Sequence, residues 1–319
     1  MKKSTGFFLA IGSAVLWGSY GTFTTFLGKF GLTNASTAMI GPFFIFVFFT
    51  VVNLLTNGVK SYKLPLKLIP VVLLYGFFSA MDSYSAVTAY SLLPIAVGSI
   101  IIYCNLFLLI LFSRLLFQIK LTGKKMIACA IAVIGIALVV DVFNVEGRIS
   151  LLGLFWAFIA MCCWAGIVLC EKYLLNAGLK VNTVLSLHGI IALVLLCSIH
   201  SPVAFVENVA AAFTATGWRL PLTMVCFGLF TEIFSYLTYM IALKRLEPAL
   251  VQIAYTLDPV TSCLLAMIFF GQILVPIQYG GIFVILAVVT WLHWDSRNEE
   301  KRKNQEEAKN KSSEKATSP

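Results

Sequence analysis

Apolar runs of about 20 residues follow one another from residue 6 to residue 294, each long enough to cross a hydrocarbon layer about 30 Å thick as a single helix. No stretch is left over for a soluble domain between the runs. The charged share agrees: 12% of the 319 residues are Asp, Glu, Lys or Arg, against about 25% in a soluble globular domain. The chain therefore reads as an all-α integral membrane protein with the lipid bilayer around it. Its predicted spans cover residues 6–27, 35–56, 68–91, 94–116, 123–142, 149–172, 181–201, 218–243, 248–271 and 274–294, ten in all.

The basic residues orient these spans. With the N-terminus in the cytoplasm, Lys2, Lys3, Lys60, Lys63, Lys67, Arg114, Lys120, Lys124, Lys125, Lys172, Lys180, Lys244 and Arg245 fall on the inner side with the tail. Only Lys29, Arg148 and Arg219 fall outside, so both termini are expected to be cytoplasmic. The same distribution accounts for the formal charge of +9. It sits in short loops and the tail, with no aromatic-interleaved basic patch of the kind nucleic acid requires. Lys2 and Lys3 ahead of an apolar run mimic a secretory leader, but residues 6–27 exceed a leader's apolar core and lack its cleavage site, so they read as the first retained helix. Residues 295–319 are a mixed-charge tail with too little apolar surface to fold, and removing them from Arg297 onward is expected to leave function intact.

All eight cysteines (Cys104, Cys129, Cys162, Cys163, Cys170, Cys197, Cys226, Cys263) lie inside predicted helices without a CxxC pair and read as inert core thiols. His188, His200 and His293 stand singly and are assigned to packing or the interface; no metal and no cofactor is assigned. Arg114, Asp141, Glu171 and Lys172 lie at predicted helix ends, where long side chains reach the interface. The connection 201–217 carries Phe205, Val206, Val209 and Phe213 at helical spacing, read either as a short interfacial helix or as plain loop.

The two halves match when laid on each other. Residues 6–17 align with 153–164, which sets Trp17 on Trp164 and Ala10 on Ala157, and Gly31-Leu32 falls on Gly178-Leu179. Gly76, Phe78, Ser79, Ser83 and Tyr84 fall on Gly228, Phe230, Thr231, Ser235 and Tyr236; after a two-residue insertion Pro94 falls on Pro248 and Gln118-Ile119 on Gln272-Ile273. Residues 1–145 are thus the first repeat, 146–294 the second, and 295–319 the tail. An odd number of spans per repeat turns the second over relative to the first. The expected architecture is ten transmembrane helices in two inverted five-helix repeats, a design whose two pseudo-equivalent packings open a central site to either side in turn.

Glu232 and Asp258 sit within the apolar lengths of the eighth and ninth spans, where an ionised acid costs at least about 2.5 to 3.5 kcal/mol. They read as lining a solute path; the competing reading is a pair of neutral acids hydrogen-bonded for packing. Glu232, Ser235, Tyr236 and Tyr239 recur at i, i+3, i+4 and i+7, one polar and aromatic face on an apolar helix. Gln252, Tyr255, Thr256 and Pro259 repeat the spacing beside Asp258. In the first half Ser79, Asp82 and Ser83 form the counterpart, and Ser99, Tyr103 and Asn105 line part of the fourth helix, with Asn105 at the register position of Pro259. Trp17 and Trp164 lie mid-span instead of at the interface where Trp concentrates, and read as flanking a cavity. For every aromatic here the competing reading is packing. The candidate substrate-binding residues are Trp17, Asp82, Tyr84, Tyr103, Asn105, Trp164, Glu232, Tyr236, Tyr239, Tyr255 and Asp258.

No GxxxxGK[ST] loop occurs, which argues against direct ATP drive. A gradient is the remaining energy source, and protons, carried by Glu232 or Asp258, are the candidate coupling ion. A membrane-embedded enzyme using Asp82, Glu232 or Asp258 as paired acids is the competing class, but HExxH, GxSxG and other nucleophile signatures are missing, so no catalytic residue is assigned. A small multidrug pump with a charged first helix does not fit, because residues 6–27 contain no acid.

This arrangement resembles the EamA-type family of the drug/metabolite transporter superfamily over residues 6–294. The resemblance rests on Trp17-Gly18 and Trp164-Ala165-Gly166, on Ala242-Leu243-Lys244-Arg245-Leu246-Glu247-Pro248 with Pro259 eleven residues later, and on Gln278-Tyr279-Gly280-Gly281. Two features depart from it: Gln118 and Gln272 stand where a glutamate commonly closes the fourth helix of each repeat, and Asn105 stands where a proline is usual. The resemblance implies a plasma-membrane secondary transporter, often an exporter, of amino acids or other small metabolites. Its small-molecule substrate would occupy a cavity walled by the first, third, fourth, sixth, eighth and ninth helices of a monomer or homodimer. Sugars, nucleobases and drug-like cations are the alternative substrate classes.

Overall fold

The computed structural model describes residues 3–93, 98, 101–118, 123–144, 150–271, 273–292, 294, 295 and 298. Pro94, Ser99, Ile119, Arg148, Gln272, His293 and the tail from residue 299 lie outside these. Among the described residues there is no strand. Among the described residues seven helices are long and apolar enough to cross a membrane: Thr5–Lys29, Asn34–Asn57, Leu66–Ala86, Leu151–Asn176, Val181–Ile199, Arg219–Arg245 and Pro248–Phe270. Ile101–Phe117 and Pro276–Leu292 are shorter apolar helices. The protein is a multi-pass membrane protein.

The helical segments are α1 (Lys3–Trp17), α2 (Tyr20–Lys29), α3 (Asn34–Asn57), α4 (Ile69–Leu92), α5 (Asn105–Phe117), α6 (Gly123–Val139), α7 (Leu151–Asn176), α8 (Val181–Ile199) and α9 (Pro202–Thr216). They continue as α10 (Arg219–Phe227), a π-helical stretch (Gly228–Phe234), α11 (Ser235–Arg245), α12 (Pro248–Tyr255) and α13 (Leu257–Phe270), then α14 (Pro276–Leu292). Some of their starts carry side-chain caps. The Thr33 hydroxyl accepts from Ser36 N at 3.2 Å and the Ser150 hydroxyl from Gly153 N at 3.2 Å, satisfying amides that the first turn leaves open. The sequence admits helix or loop for α9, and it is a helix: Phe205, Val209 and Ala212 pack with Leu27, Leu32 and Ile40, while Val206 and Phe213 face outward.

The repeat is visible in how helices end. After α2, Leu32 N bonds Leu27 O at 3.1 Å and Gly31 has φ +95; after α7, Leu179 N bonds Leu174 O at 3.2 Å and Gly178 has φ +91. Both are left-handed terminations that glycine alone enters without penalty, and they stand at matched positions. The halves then interlock: α1 packs on α11, α4 on α7 and α3 on α8. A Cβ on Gly6 would meet Leu246 Cγ at 3.2 Å, and one on Gly153 would meet Leu93 Cγ at 2.6 Å. These matched glycines let the first helix of each repeat lean on the end of the third helix of the other.

Helix continuity does not follow the repeat. The first span breaks at Gly18-Ser19, where Ser19 N reaches only Leu16 O at 3.2 Å, whereas its counterpart α7 is unbroken. The α10–α11 span carries the π turn, in which the Ser235 hydroxyl donates to Phe230 O at 2.7 Å, whereas α4 is regular. Thr256 interrupts the ninth predicted span, its N bonding Ile253 O at 3.1 Å, with Pro259 unable to donate just beyond.

Candidate functional site

Trp17 is the hub where the repeats meet. Its ring lies edge-on to Tyr236 at 4.5 Å, Tyr255 at 4.9 Å, Tyr239 at 5.4 Å and Trp164 at 5.7 Å between centroids. Trp164 stacks on Tyr255 at 6.0 Å. Edge-to-face pairs at these separations each contribute about 0.5–1.5 kcal/mol beyond the area they bury. Five of the predicted residues are thus brought together, and in this conformation their rings fill the space between them. Gly18 permits it: a Cβ there would lie 2.5 Å from Thr261 Cβ and 2.8 Å from Asp258 O.

Asp258 and Tyr103 join this cluster. The Tyr103 hydroxyl donates to Asp258 Oδ2 at 2.9 Å, a bond between the two halves, and the Tyr255 hydroxyl also reaches the carboxylate. Trp164 Nε1 donates to Gln252 Oε1 at 3.3 Å. Asn105, buried at the start of α5, donates through Nδ2 to Ile102 O at 2.6 Å, and its Oδ1 has no partner among the described residues. Asp82 is half-buried and close to Tyr236 and Cys163.

Two predicted residues lie off the ring cluster, Glu232, which still interacts with Tyr236, and Tyr84, and the π turn accounts for the first. The expected face of Glu232, Ser235, Tyr236 and Tyr239 assumed a regular helix, but a π turn holds an extra residue and rotates the rest of the helix by about 100°. Tyr236 and Tyr239 turn to Trp17, while the Glu232 carboxyl lies against α3, where a Cβ on Gly41 would come within 2.7 Å of Oε1. Glu232 and Asp258 are not a facing pair. Tyr84, the register mate of Tyr236, sits on regular α4 and points away: it is 40% exposed, edge-on to Trp156 at 5.4 Å.

The structure corrects two further assignments. Glu171 and Lys172 do not reach the interface; they are 0% and 9% exposed. The reason is that α7 runs to Asn176 and stops at Gly178, so both residues lie more than a turn inside it. The glycine was the signal that marked this end. Lys172 Nζ donates to Leu243 O at 2.7 Å and Leu246 O at 2.8 Å, the open carbonyls at the end of α11. His188, assigned to packing, is hydrogen-bonded on both ring nitrogens: Nδ1 to the Tyr75 hydroxyl at 2.7 Å and Nε2 to the Ser79 hydroxyl at 2.8 Å. Tyr75 donates onward to Glu171 Oε1 at 2.8 Å.

A cavity of about 540 Å³ lies to one side, among α2, α10 and α13, lined by Phe23, Phe26, Phe230, Leu265 and Arg219. None of the predicted residues lines it. Among the described residues no group of three or more metal-ligating side chains occurs, and the eight cysteines are free.

A model of the EamA-like transporter family matches the chain twice, over residues 4–141 and 151–293. A solved protein crystal structure superposes with a TM-score of 0.72 over 94% of this chain and 100% of its own, at 18% identity, a likeness of fold alone. No curated protein matches. Two matches that together cover nearly the whole apolar region, on helices whose ends and cross-packing repeat, identify the chain as a member of the EamA-like transporter family, a membrane transporter of the drug/metabolite transporter superfamily.

Proposed function

We propose that the protein is a secondary transporter that exports small metabolites such as amino acids from the cell by alternating access. In this reading ten helices in two inverted repeats cross the plasma membrane with both termini in the cytoplasm, and protons are the coupling ion. The observation that carries it is the meeting of Trp17 and Trp164, matched positions of the two repeats, at 5.7 Å. A site held by equivalent residues of both halves is one that either half uncovers by rocking against the other. The breaks at Gly18-Ser19 and Thr256 and the π turn lie on the spans that carry Trp17, Asp258 and Tyr236, where interrupted ladders let a helix bend.

The lining selects the solute class. Aromatic faces attract an ammonium group, and Asp258 supplies a carboxylate beside them. Among the described residues no lysine or arginine stacks on these five rings; Lys29 lies over Phe270 instead, at 4.6 Å. A solute with an amine and an apolar body suits this lining, and a phosphorylated anion meets no counter-charge there.

The test is efflux from proteoliposomes loaded with a mixture of the common amino acids, sugars and nucleobases, followed by mass spectrometry. One or a few amino acids are expected to leave faster than from empty vesicles, with Trp17→Ala abolishing the difference. No acceleration of any amine-bearing solute overturns the reading. Reporter fusions after Lys63 and Arg297 are expected inside and one after Arg148 outside; an outside signal at Lys63 or Arg297 removes the topology.

A further inference from the structure

Four buried side chains from α4, α7 and α8 form one hydrogen-bonded chain with a single consistent direction. Tyr75 commits its only hydroxyl proton to Glu171 Oε1, so its oxygen must accept from His188 Nδ1–H at 2.7 Å. That tautomer leaves Nε2 bare, and it accepts from the Ser79 hydroxyl at 2.8 Å. Ser79, His188 and Tyr75 are 3%, 2% and 0% exposed. Every donor therefore points toward one oxygen of a fully buried carboxyl, and the other, Oε2, has no partner among the described residues.

An undonated oxygen on a buried carboxylate is costly, since no protein donor answers its charge. A proton on the carboxyl removes the charge. Tyr239 of α11 also interacts with Glu171, and its hydroxyl is likewise buried without a hydrogen-bond partner among the described residues. The other titratable groups interacting with Glu171 are Tyr236 of α11 and Cys170 of its own helix. Lys172 is turned away to the carbonyls of α11, Tyr255 of α12 interacts with Tyr236 and Tyr239 instead, and Arg114 of α5 is exposed.

We propose that Glu171 is a proton-binding site, loaded through Ser79, His188 and Tyr75, and that its protonation is coupled to transport. Ser79 passes its hydroxyl proton to His188 Nε2 and takes up the entering proton, Nδ1 releases its proton to the Tyr75 oxygen, and the Tyr75 hydroxyl proton passes to Glu171 Oε1. One proton enters, and a carboxylate becomes a carboxylic acid. The coupling rests on the transporter reading above; the proton binding does not.

The experiment is pH-difference infrared spectroscopy on the purified full chain in lipid nanodiscs without solute. A titrating C=O band of a neutral carboxylic acid is expected, lost in Glu171→Gln and kept in Glu232→Gln and Asp258→Asn. Tyr75→Phe, which removes the hydrogen-bond partner of Oε1 while keeping the ring, is expected to shift the band to the frequency of a more weakly bonded acid. A band that survives Glu171→Gln, or that Tyr75→Phe leaves in place, overturns the site, and the second variant decides if the first does not insert. With the amino-acid mixture in proteoliposomes, Glu171→Gln is expected to lose stimulation by a pH gradient while exchange at equal pH continues; stimulation that persists overturns the coupling. If the unaltered protein moves no solute, the transporter reading fails while the infrared result stands.

Discussion

The register that sets Trp164 on Trp17 and Gly228 on Gly76 also pairs two corners of the molecule that have taken opposite chemistry. Glu171, Tyr75, His188 and Ser79 stand where the other half has Thr24, Phe227, Gly41 and Thr231. In the first corner an imidazole from α8 fills the space between helices and links three of them. In the second the matching position is Gly41, and the space is taken from the opposite side by the Glu232 carboxyl. Thr24 bonds only its own turn, to Gly21 O at 3.1 Å, and Phe227 packs against Tyr20 and Phe23. The corner tied by side-chain bonds is built from unbroken helices, α4, α7 and α8. The corner without such ties is built on the broken first span and the π turn. One half of the pseudo-symmetric pair is braced and the other is free to bend, so rocking is expected to start at the breaks.

The largest expected effect comes from removing the brace. His188→Ala leaves a cavity and strips partners from Ser79 and Tyr75 at once, and is expected to cost about 3 kcal/mol or more, read as a lower midpoint in reversible SDS unfolding. A cost below about 1 kcal/mol would show that the hydrogen-bonded chain does not hold α4 to α8, and the contrast between the corners would lose its basis.

Next is Lys172, whose matched residue is Thr25. Thr25 is exposed and donates to Gly21 O at 2.7 Å, within its own turn, while Lys172 caps two carbonyls of another helix. Lys172→Met keeps the stem and removes both bonds to a charged donor, which is expected to cost about 2 kcal/mol. Thr25→Val is expected to stay within about 0.5 kcal/mol. Equal effects would mean that the cap at the end of α11 adds nothing beyond a local bond.

The apolar runs carried most of the fold in plain view, because span length and the helix-ending Gly31 and Gly178 are local signals. The meeting of Trp17 with Trp164 was legible only through the repeat, which brings matched positions to one place; Tyr103 and Asp258 are not matched, and their bond was not legible. The brace was not legible. Its bonds join residues 96, 109 and 113 positions apart, and no spacing rule links a tyrosine, a histidine and a glutamate on three helices. The π turn was missed for a different reason: its residues are as apolar as the regular helix of α4, and the extra residue shows only in what it does to phase, turning Tyr236 inward where Tyr84 looks out.

The smallest expected effect tests the unbraced corner directly. Gly41→Ala places a Cβ 2.7 Å from Glu232 Oε1 and 2.8 Å from its Cδ, closer than real Cβ contacts come, so something must yield. The clashing atoms are the end of a side chain, not backbone, and the span that carries them is already interrupted. The carboxyl is therefore expected to move aside at a cost of about 1 kcal/mol, the low end of overpacking. Glu232→Ala should relieve it, so that the double variant is more stable than the two single costs add up to; contacting residues couple in this way. In the braced corner the comparable crossing is Gly189, whose Cβ would lie 2.4 Å from Phe46 N. There the neighbour is main chain between two continuous helices, and Gly189→Ala should cost more than Gly41→Ala. If the two alanines cost the same, or if Glu232→Ala relieves nothing, the second corner is as rigid as the first, and the bend must be sought at Thr256 instead.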